Sequence, residues 1–343
     1  MNPHSPTTAV APPRIAPLGG SGWRPRFSVM VPACEPDEKL CHALDSVLSQ
    51  ALPREAMQIA IVDDASTPGL VTRLVRSIDR IGRIDVISND CRLGLSGNWN
   101  RAIALARGHL IHLLHQDDCV LPGFYARIEH GFASSPDIGM AFCRSRIIDD
   151  LGRTMKRTSR LRWLPGVLEN WLPTISERQR IQTPAAVVAR STYERVGGYR
   201  PDLCHALDWE MWVRIAAQYR VWHEPRTLAI YRRHVANETT RLFATGAVWP
   251  DMTKAIRINS ATLPATLRDR GVAASVRWHT ASAIRTAERQ LAAGATNAAA
   301  CTINAIPDLL GLAAGEQLEG STARRLAMLQ ARLGSEAARR RAA

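Results

Sequence analysis

From Phe27 onward, short hydrophobic runs alternate with stretches whose apolar residues recur every three or four positions. FSVMVP reads as a buried strand. After the polar turn EPDEK, residues Leu40, Ala43, Leu44, Val47 and Leu48 fall on one face of a helix. Strand QIAIV, helix Leu70 to Ile78, strand IDVIS, helix Trp99 to Ala106 and strand LIHLL continue the series. Such alternation predicts an α/β fold with a mostly parallel sheet, right-handed crossovers and helices on its faces.

The character changes after Asp118. A helix opens at Pro122 and carries Ile128 and Phe132, IGMAF is a further strand, and Asp150 to Arg178 reads as loop, with Gly152, Pro165, Gly166 and Pro173. A loop of that length in a compact domain is usually functional, so a flexible cover over a site is expected there. Strand PAAVVAR, the turn Val196-Gly197-Gly198-Tyr199, helix Asp208 to Ala217 and strand TLAIYRRH follow. Beyond Arg241 the text becomes alanine-rich and helical. The expected organisation is a disordered proline-rich N-terminus over 1–25, an α/β domain over 26–240 and an α-helical appendage over 241–343.

Two strands end in paired carboxylates, Asp63-Asp64 after QIAIV and Asp117-Asp118 after LIHLLHQ. In a parallel sheet the carboxyl ends of the strands share one edge, where ligands bind. Each pair alone reads as turn capping. Two pairs on one edge repel, and a divalent cation such as Mn²⁺ or Mg²⁺ carrying phosphate oxygens neutralises them. His234, beside Arg232 and Arg233, closes a later strand and offers a further ligand. Asp208 has a complete explanation as a helix cap, and a second one as a general base.

Composition narrows the partners. The 343 residues carry a formal charge of +13 with 46% hydrophobic residues. Arginine supplies the excess, which suits phosphate-bearing ligands or an anionic membrane surface. No compact basic stripe with base-reading side chains appears, so nucleic acid is not an expected partner. Seven dispersed cysteines without metal-ligand spacing fit a reducing cytoplasm. The first residues lack an apolar core of a secretory signal, and no apolar run is long enough to span a bilayer. No P-loop, dinucleotide fingerprint or nucleophile elbow is present. Trp163, Trp171, Trp209, Trp212 and Trp222 crowd the second half, as core residues or as stacking surfaces for a sugar or lipid acceptor.

The ordered blocks VMVPACEP, ALDSVLSQ, IVDDAST, GLSGNWNRAIALARG, LLHQDD, TPAAVVAR, VGGYR, LDWEMWVRIA and YRRH closely resemble the nucleotide-sugar glycosyltransferases of family 2, which have a GT-A type fold. The resemblance spans about Phe27 to Thr239. It implies donor binding by Pro32, Ala33, Glu35, Asp63, Asp64, Asn98 and Asp117, with Asp64 toward the base. It implies metal binding by Asp117, Asp118 and His234, catalysis by Asp208 as the base of an inverting reaction, and an acceptor side at Gly197, Gly198 and Trp209. Cys34 stands where many members place a base-stacking tyrosine, and His115 takes the first position of the usual D-x-D. The Q-x-x-R-W motif and membrane helices of processive synthases are missing, so transfer of one sugar is implied, in cell-surface polysaccharide or glycolipid assembly. The implied partners are a nucleoside-diphospho-sugar and a sugar or lipid-linked acceptor, at a cytoplasmic location with peripheral contact to the inner membrane. Two alternatives remain: a sugar nucleotidyltransferase, for which VPACEPDEK lacks a glycine-rich triphosphate loop, and a non-catalytic scaffold of the same fold.

Overall fold

The computed structural model describes residues 10–19, 22–234, 238–313 and 320–342. The chain divides into two compact units, one made of Met1–Trp171, Arg180–Asp202 and Arg214–Arg233, the other of Leu172–Gln179, Leu203–Val213 and His234–Ala343.

The first unit is a mixed sheet with helices packed on it. Its strands are β1 (Phe27–Ala33), β2 (Met57–Asp63), β3 (Asp85–Ser88), β4 (Leu110–Leu113), β5 (Cys119–Val120), β6 (Ile138–Ile148), β7 (Thr154–Arg157), β8 (Gly166–Val167), β9 (Ala186–Ala189) and β10 (Arg220–Arg232). They run in the order β3-β2-β1-β4-β9-β6-β10-β5, with β7 added to β6 and β8 to β10. β1 and β2 are buried along their whole length, as central parallel strands are, and the polar side chains inside them, Ser28 and Gln58, hydrogen-bond each other at 2.5 Å. β1 pairs in parallel with both β2 and β4, so the strand order reverses at β1/β4. That reversal opens the crevice in which ligands of such sheets bind. β9 enters antiparallel between β4 and β6, while β6 and β10 pair in parallel over the longest ladder.

Helices α1 (Lys39–Leu48), α2 (Leu70–Ile78), α3 (Gly94–Leu105) and α4 (Phe124–Ala133) follow the strands as crossovers. α1 buries Leu40, Ala43, Leu44 and Val47, the face read from their spacing. Against it lie Val29, Val31, Ile59 and Ile61, which form the core together with Phe124 and Ile128.

Two expectations are corrected here. Asp150 to Arg178 is not a bare loop but contains β7, β8 and α5 (Trp171–Glu177). β7 is exposed at every position, so no alternation of burial betrays it in the sequence. In the segment expected to be disordered, residues 1–9, 20 and 21 lie outside the described residues, but the stretch 10–19 is anchored at a few points while most of its side chains are exposed. Ile15 is buried, the Pro13 carbonyl accepts the Gly198 N–H at 2.7 Å, and the Ala16 carbonyl accepts Arg190 Nη2 at 3.2 Å. One apolar side chain and main-chain acceptors suffice to dock a proline-rich strap.

After α6 (Arg190–Val196), α7 (Leu207–Ala216) begins in the second unit. That unit is otherwise helical: α8 (Glu238–Thr245), α9 (Val248–Thr262), α10 (Ala265–Ala292), α11 (Thr296–Asn304), α12 (Ile306–Leu310) and α13 (Gly320–Ala342). Its core holds Ile175, Trp209, Trp249, Ile256, Val276, Ile284, Ile303 and Leu309. The Asp251 carboxylate accepts the backbone N–H groups of Cys204, His205 and Ala206 at 2.8–2.9 Å, fixing the chain just ahead of α7. Among the described residues no helix is long and apolar enough to cross a membrane.

Candidate functional site

The crevice at β1/β4 is closed by one side chain. Gln116 Oε1 accepts the Cys34 N–H at 2.8 Å and Gln116 Nε2 donates to the Cys34 carbonyl at 3.2 Å, tying the loop after β1 to the loop after β4. This two-way amide clamp sets Pro32, Ala33 and Glu35 beside the Asp117-Asp118 loop. Glu35 has φ 45° and Ala65, after β2, has φ 53°. Both are non-glycine residues held in the left-handed region, at a cost of roughly 1 kcal/mol each. Glu35 is held by its carboxylate, which accepts the Thr67 N–H at 3.1 Å and Arg92 Nη2 at 2.8 Å.

The two aspartate pairs differ in what their oxygens do. Asp63 accepts the Ser66 N–H at 3.2 Å, the Ser66 hydroxyl, and the Ser88 hydroxyl at 3.2 Å, so it builds the turn after β2. Asp64, also buried, accepts Asn89 Nδ2 at 2.8 Å, the Leu93 N–H at 2.7 Å and the Gly94 N–H at 2.9 Å. It therefore caps the N-terminus of α3, whose first amides have no partner inside the helix. Asn98 completes this group, donating to the Val62 carbonyl at 2.9 Å and accepting from Asn89 at 3.0 Å. Beyond Asp63 opens a cavity of about 450 Å³ lined by Ser66, Thr67, Gly69, Thr72, Ser88 and Asp90, among others.

Asp118 is fully buried. Its Oδ1 accepts the Arg232 N–H at 2.8 Å, while Oδ2 has no hydrogen-bond donor and faces His115 Nδ1 at 3.3 Å. Arg232 Nε also donates to the Asp117 carbonyl at 3.2 Å. Burial pushes the Asp118 carboxyl up to about 6 and the Asp117 charge adds to this, while His115 and the Arg232 amide pull it back. Ligand atoms of His115, Asp117 and Asp118 lie within 4.8 Å of one another. Two carboxylates and an imidazole, with one buried carboxylate oxygen lacking a donor, fit a hard or borderline divalent cation. The Trp99 ring stacks on His115 with centroids 4.8 Å apart and fixes the imidazole from behind.

Gly197 and Gly198 form the turn after α6. Gly197 has φ +87°, and a Cβ on Gly198 would come within 2.3 Å of Asn100 Oδ1, so both positions require glycine. Arg214 donates to the Val196 and Gly198 carbonyls at 2.5 and 2.9 Å, and the strap at Pro12–Pro13 covers the turn. Trp209 has no exposed surface, its indole N–H reaches the Ile175 carbonyl at 2.7 Å, and it stacks on His279 at 5.0 Å. It is a core residue, which corrects its expected place on the acceptor side. Asp208 lies in the first turn of α7, where its Oδ1 accepts the Trp209 N–H at 2.6 Å. His234 follows the end of β10, and both it and Asp208 belong to the second unit.

Sequence reading missed Gln116 and Asn89, and noted His115 only as the residue in the first position of D-x-D, not as a neighbour of the Asp118 carboxylate. Gln116 adjoins the aspartates in HQDD and could have been found there; Arg232, noted in the sequence only as a neighbour of His234, gives its amide to Asp118 and its Nε to the Asp117 carbonyl, a pairing set by the fold.

The profile of Glycosyl transferase family 2 matches residues 28–194. An uncharacterized protein, MT1568, of Mycobacterium tuberculosis (strain CDC 1551 / Oshkosh) is 31% identical over 245 residues, covering 65% of this chain and 72% of the relative. The crystal structure of S. aureus TarS 1-349 in complex with UDP-GlcNAc is similar with a TM-score of 0.61 at 14% identity, over 84% of each chain. The mannosyltransferase PcManGT of Pyrobaculum calidifontis, in complex with GDP-Man and Mn²⁺, is similar with a TM-score of 0.53 at 20% identity, over 94% of this chain and 82% of that one. The shared architecture is the GT-A fold. The chain belongs to glycosyltransferase family 2.

Proposed function

We propose that this protein is an inverting, metal-dependent glycosyltransferase that moves one sugar from a nucleoside-diphospho-sugar to an acceptor hydroxyl. The observation that carries the reading is the His115–Asp117–Asp118 group, with its buried, donor-free Asp118 oxygen, at the strand-order reversal of the sheet. The bound nucleotide sugars of TarS and PcManGT, and the Mn²⁺ of the latter, support it.

Asp117, Asp118 and His115 would hold Mn²⁺ or Mg²⁺, with His234 as a further ligand. A divalent cation bound there supplies charge neutralisation for the departing diphosphate. The Arg232 amide and the Trp99 ring keep Asp118 and His115 in place for it. Pro32, Ala33, Glu35 and the Asp63–Asp64–Asn98 framework form the donor side, where Gln116 and Asp64 fix the loops against which a nucleoside lies. Asp208 takes the proton from the acceptor hydroxyl. The freed oxygen bonds to the anomeric carbon as the bond to the diphosphate breaks and its electron pair leaves with phosphate, so an α-linked donor gives a β-linked product. The Gly197–Gly198 turn borders the acceptor side. Residues 241–343 serve as an accessory helical part, and the protein works in the cytoplasm, against the inner face of the membrane where a glycolipid or polysaccharide acceptor is assembled.

Thermal unfolding in the presence of UDP, GDP and dTDP, each with and without Mn²⁺, tests the reading. One nucleotide raises the midpoint only when Mn²⁺ is present. Stabilisation by none of them, or equal stabilisation in EDTA, overturns it.

A further inference from the structure

Five arginines stand together on one part of the first unit without a counter-charge. Arg144 and Arg146 alternate along β6 and so share a face of the sheet. Arg157 of β7 lies directly across the ladder from Arg146. Like charges opposite one another on paired strands destabilise a sheet, so this pairing has no structural rationale of its own. Arg160 and Arg162 follow in the chain, with the Arg160 guanidinium 4.5 Å above the Trp163 ring. Arg144 and Arg162 make only backbone contacts, to the carbonyls of Thr158 and Val167. Among the described residues none of the five is ion-paired, whereas Arg153 and Arg220 close by are, to Asp149, Asp137 and Glu169.

Two buried groups point the same way. Arg146 Nε is sealed from solvent with no hydrogen-bond partner, and so are both ring nitrogens of the fully buried His223 on β10. A buried donor without an acceptor is rare and costly, and an anion supplies the missing acceptor to Arg146 Nε and to the single N–H of the neutral His223 ring. The Arg144 and Arg162 charges, after burial itself, hold His223 neutral, down at about 4. Beside the arginines, Trp163 and Leu164 are 83% and 73% exposed. The patch adjoins the metal group through the sheet: β6 Ile148 pairs with Arg232, whose amide binds Asp118, and Arg146 lies two residues, about 7 Å, before Ile148.

We propose that the acceptor carries phosphate next to an apolar chain, its phosphate bound by Arg144, Arg146, Arg157, Arg160 and Arg162 and its chain lying on Trp163 and Leu164; this deepens and rests on the glycosyltransferase reading. Guanidinium forks match phosphate oxygens in pairs, and five of them exceed what a neutral sugar acceptor can use.

The test is calorimetric titration of the full chain with geranyl diphosphate in EDTA, which silences any metal-dependent diphosphate binding at Asp117–Asp118. Geranyl diphosphate is expected to bind at least tenfold more tightly than inorganic pyrophosphate. The Arg146→Gln/Arg157→Gln double variant should lose tenfold or more in affinity while its Mn²⁺-dependent nucleotide binding is unchanged. Arg157→Gln and Arg160→Gln singly, both at exposed positions that leave the fold intact, should each lose about threefold. Unchanged affinity in these variants overturns the proposal. So does a wild-type chain that ignores geranyl diphosphate yet sediments with phosphatidylglycerol vesicles in an arginine-dependent way, since the patch is then a membrane contact. If geranyl diphosphate binds as expected and no nucleotide does, the glycosyltransferase reading falls and the anion site stands.

Discussion

Replacing Asp118 with Asn should strengthen the metal-free protein and disable it at once. In the fold the Asp118 carboxyl is pushed from its ordinary 3.8 to about 6 by burial and by Asp117. An acid whose pKa is higher folded than unfolded costs stability wherever it is ionised in the fold. The cost begins as pH rises past the unfolded value and is complete above the folded one, here from pH 3.8 to beyond 6. A gap of about two units corresponds to roughly 3 kcal/mol at pH 8. The substituted amide carries no charge and can still accept the Arg232 N–H through its oxygen, so the variant recovers part of that sum, about 1–3 kcal/mol, or several degrees in midpoint. Calorimetric or denaturant unfolding at pH 8 in EDTA reads the gain. The same scan with Mn²⁺ and nucleotide reads the loss: the metal-dependent shift expected of the wild type is absent from the variant. A variant less stable than wild type in EDTA refutes the electrostatic account, and one that keeps the full Mn²⁺-dependent shift refutes the ligand assignment.

Asp208→Asn keeps the helix-capping capacity, so donor affinity should stay normal while turnover falls by about 10²–10⁴, measured as kcat against the nucleotide titration; unimpaired turnover removes Asp208 from the mechanism. A chain ending at Thr240 should be insoluble or unfolded in its helical part, because Trp209 loses the His279 ring stacked on it and the second unit loses most of its core; a soluble, cooperatively unfolding truncation argues against this. His112 and His279, buried and held down at about 4 from 6.5, bind protons only on unfolding between those values. Each should therefore remove about 2 kcal/mol of stability as pH falls from about 7.5 to about 5, with urea midpoints as the readout and a flat profile as the contrary result.

The parallel half of the sheet is legible in the sequence because β1, β2 and β4 are buried on both faces and so are mostly apolar, with Ser28, Gln58 and His112 as buried, hydrogen-bonded exceptions. β7 and the strap at 10–19 are not legible: β7 pairs by backbone alone with every side chain in solvent, and the strap is held by one isoleucine and two carbonyls. The site shows the same division. DD in IVDDAST and DD in LLHQDD look alike as text, and what separates them is the supply of backbone amides. Asp64 meets the Leu93 and Gly94 amides 29 and 30 residues away, at the start of a helix that only the fold brings to it. Asp63 meets Ser66 in its own turn. Asp118 meets a single amide, from Arg232 at the far end of the longest ladder, and keeps one oxygen open. A carboxylate surrounded by N–H donors is a structural anchor, whereas one left half-satisfied in a dry place keeps an oxygen that a cation could neutralise. The first pair thus builds the wall of the crevice, and the second is the pair to which the proposed function gives the metal, a difference set by where β10 and α3 end rather than by either motif.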